Sequence, residues 1–249
     1  MKNSTTISKT GIYGIGIFLI FLGWIILSTA MNNDLIYPSI DKVFISFLSL
    51  LTNLDVLLAF GYSLLRVLIV VLVSLLISFL ISFVYIVYKD SILLFKPLLT
   101  FIKATPLAII SVYLWISLGS SNAPYVITLL MVLPVMIEGF ISALDNIDKA
   151  YIWQLKTEDV SIVKKFIKVY IPLIYPYIIM TILQTFGLGL KVMLMGEYIC
   201  QTSNSLGNYI YIFKQSLEFN NLLGMAIYIV IIVCLLEFSI KKISKHLNN

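Results

Sequence analysis

Charge is the scarcest commodity in this sequence. Asp, Glu, Lys and Arg make up 12% of its 249 residues, against about 25% in an ordinary soluble domain. Histidine occurs once, as His246 in a polar tail, so no nucleophile–base pair can be built on it. The two cysteines, Cys200 and Cys234, have neither metal nor redox spacing and read as small apolar side chains. No G-x-x-x-x-G-K-[ST] stretch is present, which excludes nucleotide binding by a phosphate loop. The chain therefore carries no cofactor signature of its own, and any energy it uses comes from a partner or from an ion gradient.

What is abundant is hydrocarbon: 60% of the residues are hydrophobic and the mean hydropathy is +1.03. No soluble fold of this length hides so much apolar surface, so most of the solvent is lipid. A bilayer core needs about 20 apolar residues as helix, and in lipid the backbone must satisfy itself, so each span is helical. Six runs qualify: 11–30, about 57–87, about 93–118, 124–144, about 171–197 and about 222–240. For the first, a cleaved secretory signal is the competing reading, because two lysines precede it and its closing "STA" resembles a cleavage site. Its apolar run is longer than a typical signal core, which favours a retained span. The second is long enough to tilt or to begin in the interface.

The basic residues choose an orientation. Lys2 and Lys9 precede the first span, Lys89 lies between the second and third, and Lys96 follows just beyond. Lys149, Lys156, Lys164, Lys165 and Lys168 lie between the fourth and fifth, and Lys241, Lys242 and Lys245 follow the sixth. The alternate connections hold only Lys42, none in "GSSNAP", and Lys214. With six spans every rich segment falls on one side, which the positive-inside rule makes cytoplasmic together with both termini. A pI near 9.0 thus reports topology rather than affinity for nucleic acid.

The connection from Asp145 to Pro172 lacks glycine, and its apolar residues recur at Ile152, Leu155, Val163, Phe166, Ile167 and Tyr170, which is helical spacing. One or two short amphipathic helices under the membrane are expected. They either rest on anionic headgroups or form a docking surface for a cytoplasmic protein.

Within the spans, an ionisable group costs about 2.5–3.5 kcal/mol at mid-membrane on insertion scales and usually faces a cavity or a partner. Lys191 and Glu197 stand about 9 Å apart along the fifth helix, turned to different faces. Either they line a pathway near its outer gate, or Glu197 reaches the interface and Lys191 pairs with a neighbouring helix. Arg66 is expected to pair between helices rather than bind solute. Gln184 offers a polar group on the same fifth helix, whose Gly187, Gly189 and Gly196 permit close packing. Lys96 and Lys103 are expected to snorkel. Pro97, Pro106, Pro172 and Pro176 each remove a backbone donor and are candidate kinks. "YIYIF" in the last outer segment suggests a short half-inserted helix.

The stretch "KTEDVSIVKKFIKVYIPLIYPYI" resembles the cytoplasmic loop of ABC-importer permeases. "YPSIDKVFISFLSLLTNLDVLLAFGYSLLRVL", "LLFKPLLTFIKATPLAIISVYLWISLG" and "GLGLKVMLMGEYICQTSNSLGNYI" resemble successive parts of the nitrate, sulfonate and taurine (bicarbonate) subgroup. The resemblance covers roughly residues 37–245. It implies an all-α polytopic membrane protein of type I importer permease (MetI-like) architecture. Residues 1–36 would be the N-terminal tail and first span, and 37–249 the permease domain. It implies a coupling loop, 145–171, whose contact residues would be Ile152, Trp153, Gln154, Leu155, Lys156, Thr157, Glu158, Asp159 and Val160. The implied partners are an ABC ATPase that uses ATP and Mg, a second permease copy, and an extracytoplasmic binding protein. The expected location is a bacterial inner membrane. The family usually carries a Glu-Ala-Ala triplet and then a glycine; here Trp153-Gln154-Leu155 and Asp159 occupy those places. A gradient-driven transporter or channel is the alternative, although no internal repeat is visible.

Overall fold

The computed structural model describes residues 9–31, 33, 36–157 and 159–247. Ten α-helices are present among them: α1 (Lys9–Met31), α2 (Ile40–Thr52), α3 (Leu54–Val87), α4 (Ile92–Ala104), α5 (Leu107–Asp145), α6 (Lys149–Thr157), α7 (Ile162–Lys165), α8 (Ile171–Cys200), α9 (Leu206–Gln215) and α10 (Phe219–Leu247). Four helical stretches are long and apolar enough to cross a membrane: 14–31, 54–87, 107–145 and 162–200. The apolar part of α10, Phe219–Leu235, is shorter. The chain divides into two compact units, Met1–Asn53 with Ile212–Val230, and Leu54–Tyr211 with Ile231–Asn249.

In the first unit, the Trp24 indole N–H donates to the Pro38 carbonyl at 3.1 Å and the Ser28 hydroxyl to that of Tyr37 at 3.2 Å, so the 36–39 segment is tied back to the end of α1. Helix α2 buries Val43, Ser46 and Leu50, an i, i+3, i+7 stripe. The Ser46 hydroxyl meets the Asn221 side chain of α10. A Cβ at Gly224 would lie 3.0 Å from the Phe47 nitrogen, so glycine is what lets α2 and α10 cross so closely.

The second unit is built on α3, α5 and α8. Helix α3 runs 34 residues, about 51 Å at 1.5 Å per residue, which exceeds a bilayer core. Its buried face carries small and hydroxyl residues such as Ala59, Ser63, Ser74, Ser78 and Ser82, while Leu65, Leu72, Leu76 and Leu80 point outward. That inversion of the soluble pattern is the mark of a helix whose far side meets lipid.

The expected third and fourth spans form a hairpin, with its joints placed differently from expectation. Gly119 has φ 77° and ψ 171° inside α5, a conformation L side chains rarely adopt. The chain reverses there, so Leu107, Leu114 and Trp115 pack beside Ala123 and Ile127. Nearer the other end, Ile92, Phe95 and Leu99 of α4 pack beside Leu133, Ile137 and Ile141. Residues 120–124 of the expected "GSSNAP" loop are already helical, so the turn needs only the one glycine. The ascending arm is not one helix: it breaks at Thr105–Pro106, where both residues are extended. Pro97 lies inside α4 without a break. Thr105 is in the extended region that a following proline favours, whereas Lys96 before Pro97 stays helical.

Pro172 and Pro176 do not interrupt their helix either. The five residues before it, Phe166–Tyr170, form a π-helical turn in which the Ile171 N–H reaches back to the Phe166 carbonyl. Widening the turn there absorbs the crowding and the missing donor that Pro172 brings.

Candidate functional site

Two places hold the residues singled out in the sequence: the segment between α5 and α8, and the N-terminal half of α3 with the C-terminal end of α8.

In the first, Asp148 opens α6 by accepting the Ala150 N–H at 2.9 Å, as a good N-cap does. At the other end the Lys165 ammonium donates to the Leu155 carbonyl. A cation there meets the negative end of the α6 dipole, so one lysine of the cluster ties α6 to the helix that enters the membrane. Phe166 is buried and meets Phe83 of α3 edge to face, with centroids 5.3 Å apart. Below the ends of α3 and α5 lies a cavity of about 530 Å³, bordered by Tyr85, Lys89, Asp145, Ile152, Trp153 and Tyr170 among others. The Tyr85 hydroxyl donates to Asp145 at 2.6 Å and Lys89 lies 3.4 Å from the same carboxylate.

The residues expected to couple divide by exposure. Trp153 is 70% exposed and Val160 43%, whereas Leu155 is 7% exposed and belongs to the packing of the segment. Ile152 is half-buried against the cavity and Asp159 is exposed. Glu158 and the side chains of Gln154, Lys156 and Thr157 lie outside the described residues. Tyr151, Ile162, Val163 and Ile167 are exposed as well, which leaves an apolar and aromatic surface beside Lys164 and Lys168.

Near the C-terminal end of α8, Glu197 is fully enclosed. Its carboxylate accepts from Ser63 at 2.7 Å, from Arg66 at 2.8 Å and from the Gly207 N–H at 3.3 Å. Ser63 in turn accepts the Leu206 N–H at 3.1 Å. Arg66 also reaches the carbonyls of Ser203 and Asn204, both at 3.4 Å. Gln201, in the left-handed region at φ 50°, ends α8, and Thr202 donates to the Ser120 carbonyl at 2.7 Å beside the hairpin turn. One ion pair thus fastens α3, α8 and the 201–207 turn. Gln184 and Lys191 stand apart from it, exposed on the opposite side of α8. The expected short helix at "YIYIF" is α9.

Sequence reasoning did not find the pairing of Lys103 with Glu138, at 2.7 and 2.8 Å to the two carboxylate oxygens. Lys103 was expected to snorkel. The two are 35 positions apart, and only the reversal at Gly119 brings them together.

Residues 91–249 match the family described as "Binding-protein-dependent transport system inner membrane component". A comparison with individual curated proteins gave no match.

Proposed function

The chain belongs to the family of binding-protein-dependent transport system inner membrane components, and from that membership we propose that it is the pathway subunit of an ATP-driven ABC importer. The observation that carries the reading is the family match itself, which runs from the 3₁₀ turn before α4 to the end of the chain. The spans in this reading are six: α1, α3, the two arms of the hairpin, α8 and α10. Both termini face the cytoplasm, because the lysine-rich connections then lie on one side. Two copies enclose the path. An ATPase, which binds ATP and Mg, grips the exposed surface of Tyr151, Trp153, Val160 and Val163. An extracytoplasmic binding protein delivers a small solute of the nitrate, sulfonate or taurine class, or a thiamine precursor. The location is a bacterial cytoplasmic membrane.

The structure supports the mechanical part in one respect. Lys165 and Phe166 join α6 to the foot of α8 and to α3, so a force on α6 has a short route into the spans. The experiment is purification through a tag on the full chain from its native membrane. An ATPase subunit is expected to co-purify; its absence overturns the reading. Impermeant thiol reagents applied to intact cells should reach Ser121→Cys and fail to reach Lys164→Cys, and the reverse pattern would overturn the orientation.

A further inference from the structure

Two of the basic groups in the apolar helices are cancelled by a neighbouring carboxylate. Arg66 and Glu197 neutralise one another, as do Lys103 and Glu138. Lys191 is different: it has no ion-pair or hydrogen-bond partner among the described residues and its side chain is exposed.

Its depth follows from the hairpin. A Cβ at Gly189 would lie 3.2 Å from Val132, and one at Gly196 would lie 3.4 Å from the Pro124 backbone. Counting from the turn at Gly119, Val132 is about 20 Å down and Pro124 about 8 Å. Lys191, between the two glycines, is about 16 Å below the turn on the same rise. In a hydrocarbon core of about 30 Å that is the middle. The level is too deep for a four-carbon stem to carry the ammonium to headgroups.

The face on which it stands is a single stripe: Gln184, Leu188, Lys191, Met195 and Tyr198 follow at spacings of four and three. Lys191, Leu194, Met195, Tyr198 and Ile210 line a shallow pocket of about 290 Å³. Its lining contains an ammonium and a phenol as hydrogen-bond donors and no carboxylate. A charge left uncompensated there would cost about 2.5–3.5 kcal/mol against lipid on insertion scales. A counter-anion removes that cost.

We infer that Lys191 is the residue by which the path reads its solute, and that the solute is a small anion. The inference rests on the importer reading for its claim that this stripe borders a path. Two copies would present two such ammonium groups across the path, a field that admits anions and rejects cations.

The test measures that field directly. In the full-length protein within its native membranes, Cys200 and Cys234 are replaced by serine and Met195→Cys is introduced, one helical turn from Lys191. The rates of an anionic sulfonatoethyl and a cationic trimethylammonioethyl methanethiosulfonate are compared. The anionic-to-cationic rate ratio is expected to fall about tenfold in Lys191→Met and to survive Lys191→Arg. Modification by the neutral ethyl reagent should be slowed by potassium nitrate, sulfate or methanesulfonate relative to gluconate at equal ionic strength, and not in Lys191→Met. An unchanged ratio in Lys191→Met overturns the inference. So does protection by none of the three anions, or failure of both charged reagents to react, which would place the stripe against lipid. None of these readouts needs transport or a bound ATPase, so the inference and the importer reading fail separately.

Discussion

Arg66 and Glu197, 131 positions apart, form an ion pair of 2.8 Å in which the carboxylate is wholly enclosed and the guanidinium nearly so. The pair joins α3 to α8 one turn before α8 ends at Cys200. The enclosed carboxylate makes the two ends unequal. Removing the arginine strands a buried charge, whereas removing both groups strands no charge and leaves only the neutral Ser63 hydroxyl and Gly207 N–H without their acceptor. Arg66→Met is therefore expected to cost about 3–5 kcal/mol, and Arg66→Met with Glu197→Leu to recover much of it. Melting of the purified protein in detergent for the two single variants and the double variant measures the coupling. Additive losses would show that the pair does not act as a unit.

Gly207 sits where backbone meets backbone. A Cβ there would collide with the Cβ of Glu197 and lie 2.5 Å from the Tyr198 nitrogen. Gly61, on α3, has nothing within 4 Å of the same construction. Gly207→Ala should lower the yield of folded protein and its melting temperature. Gly61→Ala should be neutral or raise the melting temperature by a degree or two, since alanine is favoured over glycine in a helix by about 1 kcal/mol. Size-exclusion yield and melting curves of the two variants side by side decide it.

The segment between α5 and α8 calls for two substitutions with opposite signatures. Val160→Asp changes an exposed side chain and should reduce recovery of the ATPase at least tenfold while leaving the melting temperature unchanged. Leu155→Glu places a carboxylate in a packed position and should lower stability by about 2–4 kcal/mol before any question of docking arises. Parallel measurement of co-purified ATPase and melting temperature separates the effects. Equal ATPase recovery in Val160→Asp and the unaltered chain would remove this surface from the interface.

The long apolar stretches 14–31, 54–87, 107–145 and 162–200 and the helical character of 149–170 were legible in the sequence because each is a local property, hydropathy over 20 residues or a 3.6-residue period. Which of the candidate prolines breaks its helix was not, since Pro97, Pro106, Pro172 and Pro176 look alike and only Pro106 stands at a break. Even the short helix at "YIYIF" could be read from such local properties. The pairing of charges was not. Glu197 and Lys191 look alike in the sequence, two charges in one apolar run, yet one is enclosed by Ser63, Arg66 and Gly207 and the other stands exposed. Which is which depends on the rotational setting of α8 against α3. Lys103 and Glu138 illustrate the same limit, since nothing local marks residues on opposite arms of a hairpin as neighbours. The exposure of Trp153 and the burial of Leu155, two residues on, depend likewise on how α6 lies against the ends of α3 and α5.

The π turn at Phe166–Tyr170 has a geometrical corollary for the whole rod that contains it. One surplus residue advances the winding by about 100°, so the α7 foot and the long α8 shaft are set at different clock angles. Phe166 can lock toward Phe83 while, further up, Lys191 looks elsewhere. Excising a single residue from 166–170 would restore ordinary winding and swing the foot a quarter-circle relative to the shaft. The face that α7 now presents to its surroundings would turn away with it, and the Phe166–Phe83 contact would be kept only by giving up that face.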